Sequence, residues 1–246
     1  MKIACAQISQ EFDNPEKAFL LAEDYIRDAD ADIIIFPEQY ATGWCPASSA
    51  ADGTAIKERW RHLAKTYRKY LIGSWYRTGS AGTENVLLVC SPDGSIAAEY
   101  VKMHPFTPGG ENVIPGKSPV IFTGGGVTFG LSICFDLRFP DLYQQYLHEQ
   151  CDIIIVQAAW PAARIADFEL LLKARALETR SFVIGANCIG CDMATNVDYG
   201  GRSMVCDCEG KIRADAGVFA GGCEWEFDPA ELKNTVETMR RNWGLR

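Results

Sequence analysis

Three polar side chains follow directly after stretches of residues that are typical of buried strands. They are Glu38 after residues 33–36, Lys102 after residues 96–101 and Cys134 after residues 127–133. In α/β sheets the carboxyl ends of neighbouring strands meet at one edge, where the loops diverge and leave a crevice. A carboxylate, an ammonium group and a thiol at such an edge supply a base, a cation and a nucleophile, which predicts a site for covalent acyl transfer.

Each of the three residues also has a common role that involves no chemistry. Glu38 could complement the N-terminus of a helix, Lys102 could be a solvated strand end, and a free cysteine such as Cys134 most often packs as a small apolar side chain. The residues around them favour the chemical interpretation. They form three local motifs: IFPE at 35–38, YVKMHPF at 100–106 and SICFDLRFP at 132–140.

In this order the three motifs resemble the nitrilase superfamily of carbon–nitrogen hydrolases. Four further stretches extend the resemblance over nearly the whole chain: GGE at 109–111, AWP at 159–161, LKARALET at 172–179 and YGGRS at 199–203. The chain is most similar to the omega-amidase branch, although Ala159 stands where that branch more often has Asn, and Pro105 where it often has Leu. The resemblance implies an α/β fold with four layers, αββα, in which two mixed sheets lie face to face with helices outside.

The resemblance also implies how the residues share the work. An amide is a poor electrophile, so its hydrolysis is split into acylation and deacylation of a nucleophile. Cys134 is expected to be that nucleophile and Glu38 the general base. Lys102 and the backbone N–H of Phe135 are expected to stabilise the oxyanion, while Glu111 holds Lys102. Because a nearby cation favours a thiolate, we expect Lys102 to promote ionisation of the thiol.

For the substrate, the omega-amidase resemblance implies the terminal carboxamide of a small acid, for example 2-oxoglutaramate, which would give 2-oxoglutarate and ammonia. Deaminated glutathione or an N-carbamoyl amine is the alternative within the same superfamily. A protein of another class, a catalytically inactive binding protein on the same scaffold, also remains open because a fold does not guarantee activity. The presence of Glu38, Lys102, Glu111 and Cys134 together favours an enzyme.

Several residues near the catalytic positions are candidates for binding the substrate. The aromatic residues that follow those positions could line a pocket: Tyr40, Trp44, Phe106 and Trp160. A substrate that carries a carboxylate also needs a cation, which Arg138 or Arg164 could supply. For Arg138 the alternative is a structural ion pair with Asp136 or Asp141.

The sequence also offers residues for two other kinds of chemistry. His104 could pair with Cys134 in a Cys–His hydrolase. Cys188 and Cys191, together with Cys206 and Cys208, could form a zinc site. Since Cys188 and Cys206 fall in apolar strand patterns, burial without a metal is favoured, and we expect neither a metal nor a cofactor.

The elements that position these residues can be predicted from periodicity and punctuation. Asn14 as N-cap and Pro15 predict a helix over 15–28, and apolar spacing predicts helices over 54–69, 141–148 and 167–180. Runs rich in β-branched residues predict buried strands at 33–36, 86–89 and 153–156. Turn residues predict hairpins at 91–94 and 208–210. Strands alternating with helices indicate an α/β layered domain, and no linker divides it, so we expect a single domain over 1–246.

A weak internal repeat relates residues 31–37 (ADIIIFP) to residues 151–157 (CDIIIVQ). Each stretch follows a helical pattern and precedes a tryptophan, Trp44 or Trp160. Two related halves, each a sheet covered by helices, would explain the repeat. Convergence of buried parallel strands on similar sequences explains it equally well.

Composition limits the partners and the location. The 246 residues carry a net charge of −8, which argues against nucleic acid or an anionic membrane as the main partner. No uninterrupted apolar run approaches the roughly 18 residues that a membrane span needs, and residues 1–7 have the pattern of a strand rather than a signal peptide. We interpret the ten cysteines as reduced thiols of a cytoplasmic protein. The superfamily resemblance implies a homodimer or larger assembly.

Overall fold

The computed structural model describes residues 1–44, 53–192 and 195–245, and in this part of the chain the strands form two six-stranded sheets and a separate two-stranded ribbon. The first sheet has the strand order β14-β1-β2-β3-β4-β5. Its strands are β1 (Lys2–Gln7), β2 (Ile33–Ile35), β3 (Tyr70–Gly79), β4 (Gly82–Cys90), β5 (Ile96–Val101) and β14 (Gly221–Glu226). The central strands β1, β2 and β3 run parallel, whereas β14, β4 and β5 pair in antiparallel fashion.

The second sheet repeats this plan with the order β13-β12-β9-β8-β7-β6. Its strands are β6 (Ile121–Gly124), β7 (Val127–Ile133), β8 (Ile153–Ala158), β9 (Phe182–Asn187), β12 (Met204–Cys206) and β13 (Ile212–Asp215). Strands β7, β8 and β9 are parallel, and the ribbon pairs β10 (Ile189–Asp192) with β11 (Val197–Gly200). Parallel strands that are covered on both faces consist almost entirely of apolar residues, which explains the isoleucine runs in β2 and β8.

In the described ranges, four helices cover the outer faces of the two sheets: α1 (Pro15–Asp28), α2 (Gly53–Tyr67), α3 (Pro140–His148) and α4 (Ile165–Thr179). A fifth helix, α5 (Pro229–Asn242), lies beside the end of α4 and the start of β8, where Arg240 donates to the carbonyls of Thr179 and Cys151. Helix α1 begins as the sequence predicts, with Pro15 in its first turn and Asn14 Oδ1 accepting from the Lys17 N–H at 3.2 Å. The predicted helices and strands are present, with boundaries moved by one to a few residues; helix α5 and several strands, among them β3 and β14, were not predicted.

Alternation along β2 shows how the layers are built. Ile33 and Ile35 pack in the core between the two sheets, together with Ile155 of β8, whereas Ile34 points the other way. Ile34 joins a second apolar cluster that contains Phe19 of α1 and residues of α2. Because one strand contributes to both clusters, the layers follow the order helix, sheet, sheet, helix, which confirms the predicted αββα fold.

The repeated stretches occupy equivalent places in the two sheets. Asp32 accepts a bond from the Lys2 N–H at 2.8 Å, and its own backbone joins Lys2 and Tyr70 at the start of β1, β2 and β3. Asp152 bonds in the same way to the Thr128 N–H at 2.9 Å and to Phe182 at the start of β7, β8 and β9. The repeated aspartate therefore joins the three parallel strands of its own sheet, which favours two related halves over chance convergence.

The helices were compared with the length and composition of membrane-spanning segments. In the described part of the chain, no helix combines the length and the apolar composition that crossing a bilayer requires.

Candidate active site

Three ionisable side chains meet in a fully buried group that we call the carboxylate–lysine cluster: Glu38, Lys102 and Glu111. The Lys102 Nζ donates to Glu38 Oε1 at 2.8 Å and to Glu111 Oε2 at 2.7 Å. An ammonium group between two carboxylates in a dry interior is stable only when each charge has partners of opposite sign and good geometry. This geometry provides them, so the structure brings together three of the four residues expected to be catalytic.

Backbone bonds hold each member of the cluster in place. The Glu38 N–H donates to the Ala158 carbonyl at 3.2 Å, and Glu38 Oε2 accepts from the Ala159 N–H at 3.1 Å, which ties this loop of the first sheet to the end of β8. Lys102 directly follows β5, and Glu111 Oε2 accepts from the Phe106 N–H at 2.6 Å. The cluster therefore lies where the two sheets meet, at the carboxyl ends of β2 and β8.

Cys134, the fourth residue, follows β7 and begins a short 3₁₀ helix, Cys134–Arg138. Its backbone is left-handed, with φ 45°, an uncommon conformation for a residue with a side chain. Asp136 holds this turn, because its Oδ2 accepts from the Ile133 N–H at 2.9 Å and from the Tyr100 hydroxyl at 2.7 Å. Strain of this kind is retained where a position is fixed by its surroundings, as at a nucleophile.

The electrostatics of the site differ from the expectation that Lys102 ionises the thiol. Burial raises the pKa of Cys134 well above its ordinary value, and the charge of Glu38 raises it further, while Lys102 lowers it less. Burial also raises the pKa of Glu38 above its ordinary 4.5, against the opposing effect of Lys102. Burial opposes the charge of Lys102, but the two carboxylates outweigh it and raise its pKa. At rest the nucleophile is therefore a thiol, and a base must take its proton.

Sequence reasoning missed Asn85, which lies in β4 and is fully buried. Its Nδ2 donates to Glu38 Oε1 at 2.9 Å and to Glu111 Oε1 at 2.8 Å. The Tyr76 hydroxyl also reaches Glu111 Oε1, at 3.4 Å. The only sequence signal for Asn85 is one amide directly before the apolar run VLLV of β4.

A cavity of about 390 Å³ opens above Cys134. Apart from Tyr40, all the residues that the sequence offered for the pocket and the oxyanion site line it: Trp44, Phe106, Phe135, Arg138, Trp160 and Arg164. Tyr199 also lines it. The aromatic rings support one another, with 5.0 Å between the centroids of Phe106 and Phe135.

The prediction that Tyr40 lines the pocket was wrong. Tyr40 is fully buried in the apolar cluster under α1 and α2, with its ring centroid 5.2 Å from that of Phe36. The intervening residue Gln39 is left-handed, with φ 54°, and its carbonyl accepts from the N–H groups of Thr42 and Gly43. Because of this tight turn, the Tyr40 side chain packs under α1 and α2, whereas the Glu38 side chain points into the carboxylate–lysine cluster.

The two arginines of the cavity have different surroundings. Arg138 forms an ion pair with Asp167 Oδ2 at 2.7 Å and lies over the Trp160 ring. The alternative of a structural ion pair is therefore present, but its partner is neither Asp136 nor Asp141. Arg164 lies 5.5 Å from the centroid of Phe106 and, among the described residues, has no acidic side chain within ion-pairing distance. Within ranges 1–44, 53–192 and 195–245, its guanidinium group is therefore available to bind an anion.

The two alternative chemistries lack the required geometry. The His104 Nδ1 bonds to Asp136 Oδ1 at 2.9 Å, and its ring stacks on Phe139, so this histidine serves the turn rather than the thiol. In ranges 1–44, 53–192 and 195–245, no group of three or more His, Cys, Asp or Glu side chains could hold a metal ion, and this includes the proposed cysteine set.

Comparison with known proteins agrees with this geometry. The carbon–nitrogen hydrolase family model matches residues 2–235, so the chain belongs to this family. The chain is 26% identical to the 2-oxoglutaramate amidase of Bacillus subtilis, with 96% of this chain and 94% of that protein covered. It is 32% identical to the omega-amidase YafV of Yersinia enterocolitica over 75% of this chain and 72% of that protein. A deaminated glutathione amidase of Synechocystis is 30% identical over 78% and 76%.

Solved structures show the same fold. An amidase from Nesterenkonia sp. superimposes with a TM-score of 0.85 at 23% identity, covering 99% of this chain and 96% of that one. A carbon–nitrogen hydrolase superfamily protein from Xanthomonas campestris gives a TM-score of 0.88, also at 23% identity, with 99% and 95% covered. The protein is thus a hydrolase that acts on carbon–nitrogen bonds other than peptide bonds. Within that class it is an amidase.

Proposed function

We propose that this amidase hydrolyses the terminal carboxamide of a small 2-oxo acid, such as 2-oxoglutaramate, through a thioester on Cys134. The observation that carries the proposal is the position of Cys134 between the carboxylate–lysine cluster and a cavity whose wall contains Arg164, an arginine without an acidic partner in the described part of the chain. The omega-amidase and 2-oxoglutaramate amidase relatives support the choice of substrate.

In the acylation step, Glu38 removes the proton of the Cys134 thiol while the sulfur attacks the amide carbon. The C–S bond forms, and the π electrons of the carbonyl move to its oxygen. Lys102 Nζ and the Phe135 N–H stabilise this oxyanion, because donors fixed in a dry site need no reorganisation when the charge develops. Collapse of the intermediate breaks the C–N bond, and the proton held by Glu38 leaves with ammonia.

In the deacylation step, Glu38 is again the base. It takes a proton from water as the water oxygen attacks the thioester carbon, and the same donors stabilise the second oxyanion. When the C–S bond breaks, the sulfur takes a proton back from Glu38 and becomes a thiol. Glu111 keeps Lys102 in position through the 2.7 Å bond during both steps.

Arg164 is proposed to bind the carboxylate at the far end of the substrate. A guanidinium group matches a carboxylate in two-pronged geometry, and Arg164 has no competing acidic partner among the described residues. The aromatic wall excludes water around the short carbon chain between the two ends. A neutral amide fills the same wall but leaves Arg164 unused.

Ammonia release from matched amides tests the proposal. Glutaramate and pentanamide differ only in a carboxylate that replaces a methyl group, and 2-oxoglutaramate adds the oxo group. We expect kcat/KM to rise from pentanamide to glutaramate to 2-oxoglutaramate. Much higher kcat/KM for deaminated glutathione, which the Synechocystis relative favours, or for an N-carbamoyl amine would contradict the substrate class. No ammonia from any of them would leave the binding-protein hypothesis.

We further propose a cytoplasmic homodimer in which residues 1–246 form one domain. One apolar core shared by both sheets supports the single domain, and the nine described cysteines are free thiols, as in the reducing cytoplasm. Leu170 and Leu177 on α4 are exposed apolar side chains available to a second copy. Light scattering tests the dimer, and cell fractionation tests the location. Unfolding transitions that coincide when followed by different probes test the single domain.

A further inference from the structure

Asn85 contacts both carboxylates of the cluster from within strand β4. Its Nδ2 lies 2.9 Å from Glu38 Oε1 and 2.8 Å from Glu111 Oε1. Its backbone carbonyl also accepts from the Lys102 N–H at 2.9 Å. One residue of β4 therefore contacts all three members of the cluster.

The amide oxygen of Asn85 has no partner in the described residues, although it is buried. An unbonded buried carbonyl is costly, and the cost is offset because both N–H groups bond to carboxylates. In the opposite amide orientation, the Asn85 oxygen would point at Glu38 and Glu111. That contact is favourable only if the two carboxyl groups are protonated and can donate a hydrogen bond. The side chain thus matches the state in which Glu38 and Glu111 are both anions.

The two oxygens of Glu38 have different surroundings. Oε1 accepts from Lys102 and Asn85 at 2.8 and 2.9 Å, with Gln39 Nε2 at 3.5 Å. Oε2 accepts a weaker bond from the Ala159 N–H at 3.1 Å, and Ala159 lines the same cavity as Cys134. A carboxylate oxygen that already accepts two strong bonds has no accessible lone pair for a further proton.

We propose that Asn85 is a positioning residue that occupies one oxygen of each glutamate and so leaves Oε2 of Glu38 to take the thiol proton. Asn85 touches neither the substrate nor the thiol, and it acts through Glu38. The proposal deepens the proposed function because it rests on Glu38 as the base. It names the oxygen that moves the proton and the residue that selects it.

The pH dependence of kcat/KM separates this role from simple packing. Glu38 must be ionised to act as a base, so activity falls as the pH falls through its pKa, which lies above 4.5. Hydrogen bonds to a carboxylate lower its pKa. Removing the Asn85 donors must therefore move the acid limb, the low-pH fall in kcat/KM, to higher pH. The titratable groups that face Glu38 and remain unchanged are Lys102, Glu111, Cys134, Cys188 and Tyr199.

The test compares Asn85→Leu with a matched control, Gln157→Leu. Gln157 is also fully buried, also donates two N–H bonds and also has an unbonded oxygen, but its bonds go to the carbonyls of Phe36 and Ile72 at 2.7 and 2.9 Å. For Asn85→Leu we expect an acid limb about one pH unit higher, roughly the effect of one donated bond. For Gln157→Leu we expect lower thermal stability and an unmoved acid limb.

A uniform loss of kcat in Asn85→Leu without a moved limb would overturn the proposal and leave Asn85 a packing residue. If Asn85→Leu does not fold, Asn85→Ser carries the same expectation. A second measurement needs no Asn85 variant: the difference between infrared titrations of the wild type and Glu38→Gln reports the protonation of Glu38. A Glu38 carboxyl that is still protonated at pH 7 would also overturn the proposal. Failure of the proposed function is distinguishable, because the wild type would then release no ammonia from the matched amides, whereas the infrared titration of Glu38 needs no turnover.

Discussion

The floor and the wall of the cavity are built in opposite ways. The floor consists of Glu38, Asn85, Lys102 and Glu111 with the thiol of Cys134, and its four polar side chains are fully buried and bonded to one another. The wall consists of side chains that contact each other through rings and, apart from the buried Trp160, remain partly accessible: Trp44, Phe106, Phe135, Trp160, Arg138 and Arg164.

This difference indicates how reaction and substrate choice are separated. A floor whose members all bond to one another tolerates no substitution without leaving a buried charge unpaired. Substitutions among the rings and exposed cations of the wall can change which substrate binds without disturbing the floor. Substitutions in the floor should therefore lower kcat, and substitutions in the wall should change KM.

The largest effects are expected for Cys134→Ala and Glu38→Gln. The first removes the atom that bonds to the acyl group, and the second removes the base, which alone contributes about 10²–10⁴-fold. We expect Cys134→Ala to have no measurable turnover in ammonia-release assays with 2-oxoglutaramate. A melting temperature of Cys134→Ala close to that of the wild type is the control, and turnover by Cys134→Ala would show that the floor is not the reaction centre.

Lys102→Arg is expected to be nearly as damaging as Lys102→Ala, with kcat lower by about 10²–10³-fold, the typical effect of losing one oxyanion donor. A guanidinium group keeps the charge but is planar and wide, and the space between Glu38 and Glu111 fits a single nitrogen at 2.8 and 2.7 Å. Measured kcat above roughly a tenth of the wild-type value would reduce Lys102 to a general electrostatic role.

Arg164→Gln should leave kcat for pentanamide unchanged and raise KM for glutaramate by about 10–100-fold, since a hydrogen-bonded charged group contributes 1.5–3 kcal/mol. Arg138→Gln is the matched control, because Arg138 already pairs with Asp167 at 2.7 Å and should change KM less. Equal effects of the two variants would mean that the carboxylate is not bound by Arg164.

The smallest effect is expected for Tyr40→Phe. The Tyr40 hydroxyl is buried without a hydrogen-bond partner among the described residues, so its removal leaves nothing unpaired. We expect unchanged kcat and KM and a melting temperature at or slightly above that of the wild type. A changed KM would return Tyr40 to the wall and contradict its position under α1 and α2.

The sequence predicted the parts of the site that lie at strand ends. Glu38, Lys102 and Cys134 each follow an apolar strand, and strand ends of a layered α/β fold converge. The α/β layered class was predictable because isoleucine-rich strands alternate with helices, whereas the four-layer αββα arrangement was implied by the family resemblance.

The rest depends on contacts between distant segments. Asn85 lies inside β4, and its partners are 47 and 26 positions away along the chain. Asp167, which pairs with Arg138, is 29 positions away on α4. The direction of Tyr40 depends on one left-handed residue, Gln39, and no pattern in the sequence gives that angle.

The central claim is a thioester on Cys134, and peptide mapping during turnover tests it most directly. The methyl ester of 2-oxoglutarate at the reacting carboxyl has a better leaving group than an amide, so the acyl-enzyme should accumulate before an acid quench. Digestion at low pH should then place the acyl mass on the peptide that contains Cys134 and leave the other cysteines unmodified. Acylation of another residue, or hydrolysis that continues in Cys134→Ala, would contradict the account.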